Sequence, residues 1–392
     1  MMTDYRASLE MITVLAILAV DFRMYPRRFA KTETSGFSVL DATVGLFAIN
    51  SGITLGVRDP TSSGSITHAL RNIITTAVLG AARLVAVKLS GYPEHVGEYG
   101  VHWNFFFSLA SMNLIVTLIS WPIHAILAKL HAATPLVRAK QRQITAALLG
   151  AGLLVVHQYF LNEFGLAEWA LRKDQAATKL HVLETLPSWM QWFLDKNREG
   201  VCSVFAYAGL VFLGECFGSA FFRPLLSLSA STSPLLRPST LLAQALKPVT
   251  FALAGHLAMR VMHGWTVSRV LVTVPYAILC CIIALSSIAA LNGLWWLLSL
   301  VTYDLPSNSR VEEKKKNQSV PVVAPTVRII EGSSTNLLAT FLIANVLTGG
   351  VNFLVNSLTV DDLPAFGILS LYALVLSFVT AMFSRFGLRI KL

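Results

Sequence analysis

The segment Asp21-Phe-Arg-Met-Tyr-Pro-Arg-Arg-Phe-Ala-Lys31 sets a carboxylate and an amine ten residues apart. Asp21 closes an apolar run, at the place where a membrane interface would partly desolvate it. Desolvation raises a carboxyl pKa and makes the carboxylate a stronger base. Pro26 breaks the backbone between the two residues, and a loop there could fold Lys31 towards Asp21. An ammonium beside a reacting carbonyl stabilises the oxyanion that develops on it. The same loop, with Arg23, Arg27 and Arg28, also fits an anchor for anionic lipid headgroups. Spacing alone does not choose between the two.

Other polar groups interrupt the apolar blocks. Asp41 lies a turn inside the second block, with Gly45, Asn50, Ser51 and Gly52. A charge so placed needs a cavity or a partner, and Arg71 and Arg83 in the third block are the expected partners. The stretch Glu94-His95-Val-Gly-Glu98-Tyr-Gly-Val-His102-Trp103-Asn104 is dense in hydrogen-bonding groups. Two His and two Glu suit a metal, but no HExxH pattern is present and no metal is expected. His102 suits a base, and the aromatics equally suit an interface belt. Asn197-Arg198-Glu199-Gly200 opens a later block. Asn345, Thr348/Gly349, Asn352 and Asn356 fall on one helical face. They would line a sugar- or inositol-sized cavity, or simply join helices through small and polar residues. Glu215 has no assigned role.

What must position these groups is a membrane bundle. Of the 392 residues 54% are hydrophobic and 13% charged, and the mean hydropathy is +0.62. Soluble domains carry about 25% charged residues. The expected fold is all-α and polytopic, with roughly ten transmembrane helices over 7–21, 37–57, 66–89, 102–122, 143–161, 201–222, 248–266, 270–300, 336–359 and 364–384. The net charge of +10 lies mostly between the blocks, which points to topology and lipid headgroups rather than nucleic acid. Cys202, Cys216, Cys280 and Cys281 sit in apolar segments without a CxxC pair, so disulfides and zinc are not expected. No cleavable signal peptide is expected. One membrane domain spans 1–392, with a disordered cytoplasmic linker at 303–335 that holds Lys314–Lys316.

Loop charges orient the chain. Lys129, Arg138, Lys140, Arg142, Arg223, Arg237, Lys247, the lysine run, Arg385, Arg389 and Lys391 fall on one side, which is therefore cytoplasmic along with the C-terminus. The loops with Glu94/Glu98 and Asp361/Asp362 fall on the other. The Arg23–Lys31 loop keeps its positive charge on that lumenal side, which suggests a local function. The sequon Asn317-Gln318-Ser319 falls in the cytoplasm and stays unmodified. The 21–36 loop, the 91–101 loop, 197–200 and the far half of the ninth block share the lumenal side.

At these residues the chain resembles the GPI inositol acyltransferases. The resemblance rests on Ile17-Leu-Ala-Val-Asp21-Phe with Pro26-Arg-Arg-Phe-Ala-Lys31-Thr-Glu33-Thr, on Glu94-His95 through His102-Trp-Asn-Phe-Phe, on Asn197-Arg-Glu-Gly200, and on Ala344-Asn345-Val-Leu-Thr348-Gly349 with Val351-Asn352. It implies transfer of a palmitoyl-like chain from acyl-CoA to the inositol 2-hydroxyl of glucosaminyl-phosphatidylinositol, in the endoplasmic reticulum membrane. It also implies that Asp21 and Lys31 hold the catalytic positions. Substrate contacts would come from Arg27, Arg28, Asp41, Arg83, His95, Glu98, His102, Trp103, Asn104, Arg198, Asn345, Thr348 and Asn352. No cofactor is bound on this reading, and acyl-CoA is the co-substrate. By the same resemblance the chain is expected to lack the family's first spans. The family's double basic pair before its Pro-Tyr helix is replaced by Ser268-Arg269, running into Val-Leu-Val-Thr-Val-Pro275-Tyr276, which leaves the contacts there open. A transporter using Asp41, Arg71, Arg83 and Glu215, or an inactive subunit, are the competing readings.

Overall fold

Ser38 starts the second helix by a capping box: its Oγ accepts from Asp41 N while an Asp41 carboxylate oxygen accepts from Ser38 N. That reciprocal pair satisfies two backbone donors at a helix start. The computed structural model describes residues 1–58, 66–90, 96–130, 135–172, 184–223, 238–303 and 327–390. Among these every regular element is a helix. The order is α1 (Met2–Ala19), a 3-10 turn (Arg27–Phe29), α2 (Val39–Val57), α3 (Ile66–Ser90), α4 (Val96–Tyr99), α5 (Phe105–Leu130), α6 (Pro135–Glu163), α7 (Leu166–Leu171), α8 (Ser188–Lys196), α9 (Arg198–Phe217) continued by a π-helical turn (Gly218–Phe222), α10 (Pro238–Val261), α11 (Val274–Tyr303), α12 (Arg328–Thr335), α13 (Leu337–Leu354) and α14 (Asp362–Arg385). Among the described residues nine helices are long and apolar enough to cross a membrane, so the protein is a multi-pass, all-α membrane protein. The expected first span is also a helix, α1. It carries Asp4, Arg6 and Glu10 and is not one of the nine.

The chain divides into two compact units. The first is Met1–Ala30, Phe221–His256 and Ile282–Leu392. Within it Val14, Leu18 and Phe22 at the end of α1 pack on Ala344 of α13 and on Ala365, Tyr372 and Leu376 of α14. Tyr372 Oη donates within this core to the carbonyls of Val14 and Ala344. The linker expected over 303–335 is corrected at its end, because Arg328–Thr335 is helical. This short helix is not apolar, and it is held by specific contacts. Ser333 Oγ donates to the fully buried Glu10 at 2.8 Å. Gly332 lies so close to α14 that a Cβ there would meet Thr380 O at 1.8 Å. The remainder of the linker, with Lys314–Lys316 and Asn317, lies outside the described residues.

The second unit is Lys31–Ala220 and Leu257–Cys281. Its centre is the α2–α9 pair, where backbones touch. A Cβ on Gly52 would lie 1.9 Å from Val211 O, and one on Gly214 would lie 2.1 Å from Ile49 O. Gly56 and Gly218 repeat the approach one turn on. In lipid, apolar side chains gain little by meeting each other, so close backbone packing at small residues supplies the attraction. Arg142 of α6 joins this centre: its Nε lies 2.5 Å from the buried Glu215, and its Nη2 donates to Leu55 O. Outward faces stay apolar, as at Ile74, Val78 and Val85 of α3.

Candidate active site

In the first unit the chain leaves α1 through Val20 and Asp21 and turns at Pro26 into the Arg27–Phe29 turn. Arg27 Nη1 donates to Val20 O at 2.9 Å, a cation closing the C-terminal end of α1. The Arg28 guanidinium lies 5.0 Å over the Phe29 ring. Asp21 Oδ2 accepts from Asn352 Nδ2 at 2.7 Å, so the end of α13 holds the carboxylate that follows α1. The other polar residues of α13 do not join them. Asn345 is exposed and donates to Phe341 O of its own helix. Thr348 is buried against Tyr372 Oη at 3.2 Å. Asn356 lies beyond the helix end. Of the polar face expected from periodicity, Asn352 meets Asp21 and Thr348 packs against Tyr372 of α14, while α13 ends at Leu354, before Asn356.

The second unit holds Lys31. Its Nζ meets Glu98 Oε1 at 2.5 Å, and Glu98 Oε1 also lies 3.8 Å from Arg269 Nη1. Arg269 Nε donates to Asp41 Oδ1 at 2.9 Å, with both side chains buried. The partner of Asp41 is therefore Arg269, not Arg71 or Arg83, which is a correction. Asp41 also accepts the backbone N–H groups of Thr32 and Ser38, so one carboxylate ties down both ends of the 32–38 segment. Its tasks are capping and clamping. Tyr276 Oη donates to Asp41 O and accepts from Gly45 N. The open point before Pro275-Tyr276 is resolved by this network.

Arg269 is brought there by a stitched loop. Gly36 N donates to Val267 O, and Ser268 Oγ donates to Thr34 O. The backbone after it carries Val272 at φ 50, costly for a β-branched residue. Val272 is fully buried, and Thr273 N donating to Ser268 O closes the turn around it. Burial works to raise the Glu98 carboxyl, but the Lys31 ammonium, then Arg269 and Arg83, hold it below the usual carboxylate range. Arg83 thus acts on Glu98. Burial pushes the neighbouring Tyr99 hydroxyl well above its usual value.

The 98–104 and 197–200 stretches do come together. The fully buried Asn197 accepts from His102 N at 2.7 Å, and Lys196 O accepts from Val101 N. Gly100, at φ 107, and Gly200 leave room for this contact, since a Cβ on Gly200 would strike Trp103 at 2.3 Å. His102 stands edge-on to Trp192 at 5.5 Å. Trp103 Nε1 donates to Ser108 Oγ. Asn104 starts α5, accepting from Phe106 N and Phe107 N and donating to Gly80 O. Arg198 donates to the carbonyls of Ala170, Arg172 and Asp195, holding the backbone around α7 and α8. His95 and Glu94 lie outside the described residues. Among the described residues no three His, Cys, Asp or Glu side chains gather as metal ligands. Asp41 and Glu215, the charges offered for a permeation path, are each paired with an arginine.

A family model, GWT1, matches residues 1–383. The chain belongs to the GWT1 family. It is similar to GPI-anchored wall transfer protein 1 of Aspergillus oryzae, 32% identical over 408 residues, which cover 100% of this chain and 73% of the relative. The protein of the same name from Schizosaccharomyces pombe is 29% identical over 395 residues, with 100% and 73% covered. That of Kluyveromyces lactis is 31% identical over 382 residues, with 96% and 71% covered. The sequence assigned no individual role to Arg269 or to Asn197, and the structure places both in these networks. Arg269 was legible only as a basic residue at a departure from the family pattern, and Asn197 only as the start of the Asn-Arg-Glu-Gly motif.

Proposed function

We propose that this protein is an acyl-CoA-dependent O-acyltransferase of GPI-anchor assembly in the endoplasmic reticulum membrane. It moves a palmitoyl-like chain to the inositol 2-hydroxyl of glucosaminyl-phosphatidylinositol. The observation that supports this most is the Asn352 amide holding the Asp21 carboxylate at 2.7 Å, in a chain of the GWT1 family. A base fixed in one rotamer loses less freedom on reaching its proton. The relatives' name, GPI-anchored wall transfer protein 1, agrees with a substrate from GPI chemistry.

The chemistry balances without a bound cofactor. Asp21 takes the proton of the inositol hydroxyl, and the oxygen attacks the thioester carbonyl. The family resemblance gives Lys31, which belongs to the second unit, the part of stabilising the tetrahedral oxyanion. The C–S bond breaks, the CoA thiolate leaves, and the proton on Asp21 returns to it as the thiol. Glu98 keeps the Lys31 ammonium in one place through their 2.5 Å contact. Arg27 and Arg28 take the phosphate of the lipid or of CoA. The reaction is assigned to the lumenal side, with the C-terminus cytoplasmic.

The test is transfer of labelled palmitoyl-CoA to glucosaminyl-phosphatidylinositol in membranes holding this chain as the sole candidate enzyme. Asp21→Asn keeps the shape and removes the base, so the rate should fall by about 100- to about 10,000-fold. Undiminished product from that variant, or none from the folded wild-type chain, would overturn the assignment.

A further inference from the structure

Asn352 offers two hydrogen-bonding atoms, and only one is used. Its Nδ2 donates to Asp21 Oδ2 at 2.7 Å. A carboxylate only accepts, so the amide NH2 must face it and the amide oxygen must face away. That oxygen, Oδ1, is shielded from solvent and has no hydrogen-bond partner among the described residues. Asn352 as a residue is only half-buried, while this one atom is closed off from solvent. A buried acceptor left unpaired costs free energy that a correctly placed donor recovers. The Asp21 carboxylate and Asn352 Oδ1 are thus two acceptors carried by one hydrogen-bonded pair, and the bond between the residues holds them in a fixed relation.

We infer that Asn352 is a specificity-determining residue, whose Oδ1 accepts the free ring hydroxyl adjacent to the one that Asp21 deprotonates. The pair therefore reads a vicinal diol. This inference rests on the acyltransferase reading and narrows it, because the acceptor must present two neighbouring hydroxyl groups to one Asp–Asn pair. In glucosaminyl-phosphatidylinositol the phosphate occupies the ring position on one side of the acylated hydroxyl. The hydroxyl read by Asn352 is then the free one on its other side. A lone alcohol, or a ring lacking that neighbour, leaves Oδ1 unpaired in the bound complex. A site built to bond a hydroxyl rejects an analogue without it far more strongly than an apolar pocket rejects an extra group.

The test pairs two acceptors with two enzymes. The acceptors are glucosaminyl-phosphatidylinositol and its analogue lacking the neighbouring hydroxyl. The enzymes are wild type and Asn352→Ala in the full chain, and kcat/KM is read for all four combinations. Wild type should prefer the natural acceptor by about tenfold or more, and Asn352→Ala should shrink that preference to near unity. A residue that merely holds α1 and α13 together would slow both acceptors alike and leave the ratio intact. An unchanged ratio in Asn352→Ala therefore overturns the inference. If that variant does not fold, Asn352→Gln takes its place: equal use of both acceptors by wild type, or discrimination that Asn352→Gln leaves unchanged, sinks the idea, and discrimination that Asn352→Gln alters upholds it. Failure of the broader reading looks different, because wild type would then acylate neither acceptor.

Discussion

Glu98 is an ordinary carboxyl set among cations, and its pH behaviour follows. The groups facing it are Lys31, Arg269 and Arg83, with Tyr99 beside it. Its folded pKa lies below the ordinary value of 4.5. A depressed carboxyl contributes stability that is fully present above the unfolded pKa and is lost as the pH falls through the folded one. Thermal unfolding in detergent should thus show a Glu98-dependent loss only below about pH 4.5, and Glu98→Gln should weaken that acid dependence. An acid profile identical in the variant would refute the assignment. At this scale residue type was readable, while pairing was not. Asp41 was visible as a charge in an apolar block, but Arg269 lies 228 positions away. The nearer arginines, 71 and 83, were the natural choices on sequence distance alone.

Two glycine pairs decide how α2 and α9 meet. Gly52 and Gly56 face Val211 and Glu215, and Gly214 and Gly218 face Ile49 and Ile53. Both pairs carry the GxxxG spacing that lets helices touch in lipid. Gly52→Leu places a side chain where Val211 O already sits. Overpacking costs typically about 1–3 kcal/mol, occasionally more, and contact between backbones puts this case at the upper end. The expected outcome is a lower midpoint in thermal unfolding and less folded protein in detergent; an unchanged midpoint would contradict the packing described. The glycine spacing and the Ser38–Asp41 pair lie in the sequence, but only the packed helices show that the glycines face a neighbour and that Ser38 caps α2. Residues 328–335 were harder to read. Apart from Ile329 and Ile330 they are charged, small or hydroxyl-bearing, a composition that reads as linker, and they are ordered because Gly332 and Ser333 find partners on α14 and α1. No local pattern announces a partner supplied by a distant helix.

Topology is a property of the whole chain, and its orientation is proposed from the loop charges. The cytoplasmic side assigned to the lysine run predicts that Asn317, in its Asn-Gln-Ser sequon, carries no glycan. Expression with microsomes and a glycosidase digest checks this, and a mobility shift on digestion would invert the orientation. The amino-acid sequence by itself determined that the protein is helical and multi-pass, because lipid forces every backbone donor into a helix and the apolar runs have the required length. It also displayed the residue types that the proposed acyl transfer would use, and the motifs by which the chain resembles its family. Tertiary structure decided which groups meet. It gave Asp41 to Arg269, Lys31 to Glu98 and Asp21 to Asn352. These are contacts between segments up to 331 positions apart. They depend on where packed helices place their ends, and local periodicity carries no information about that.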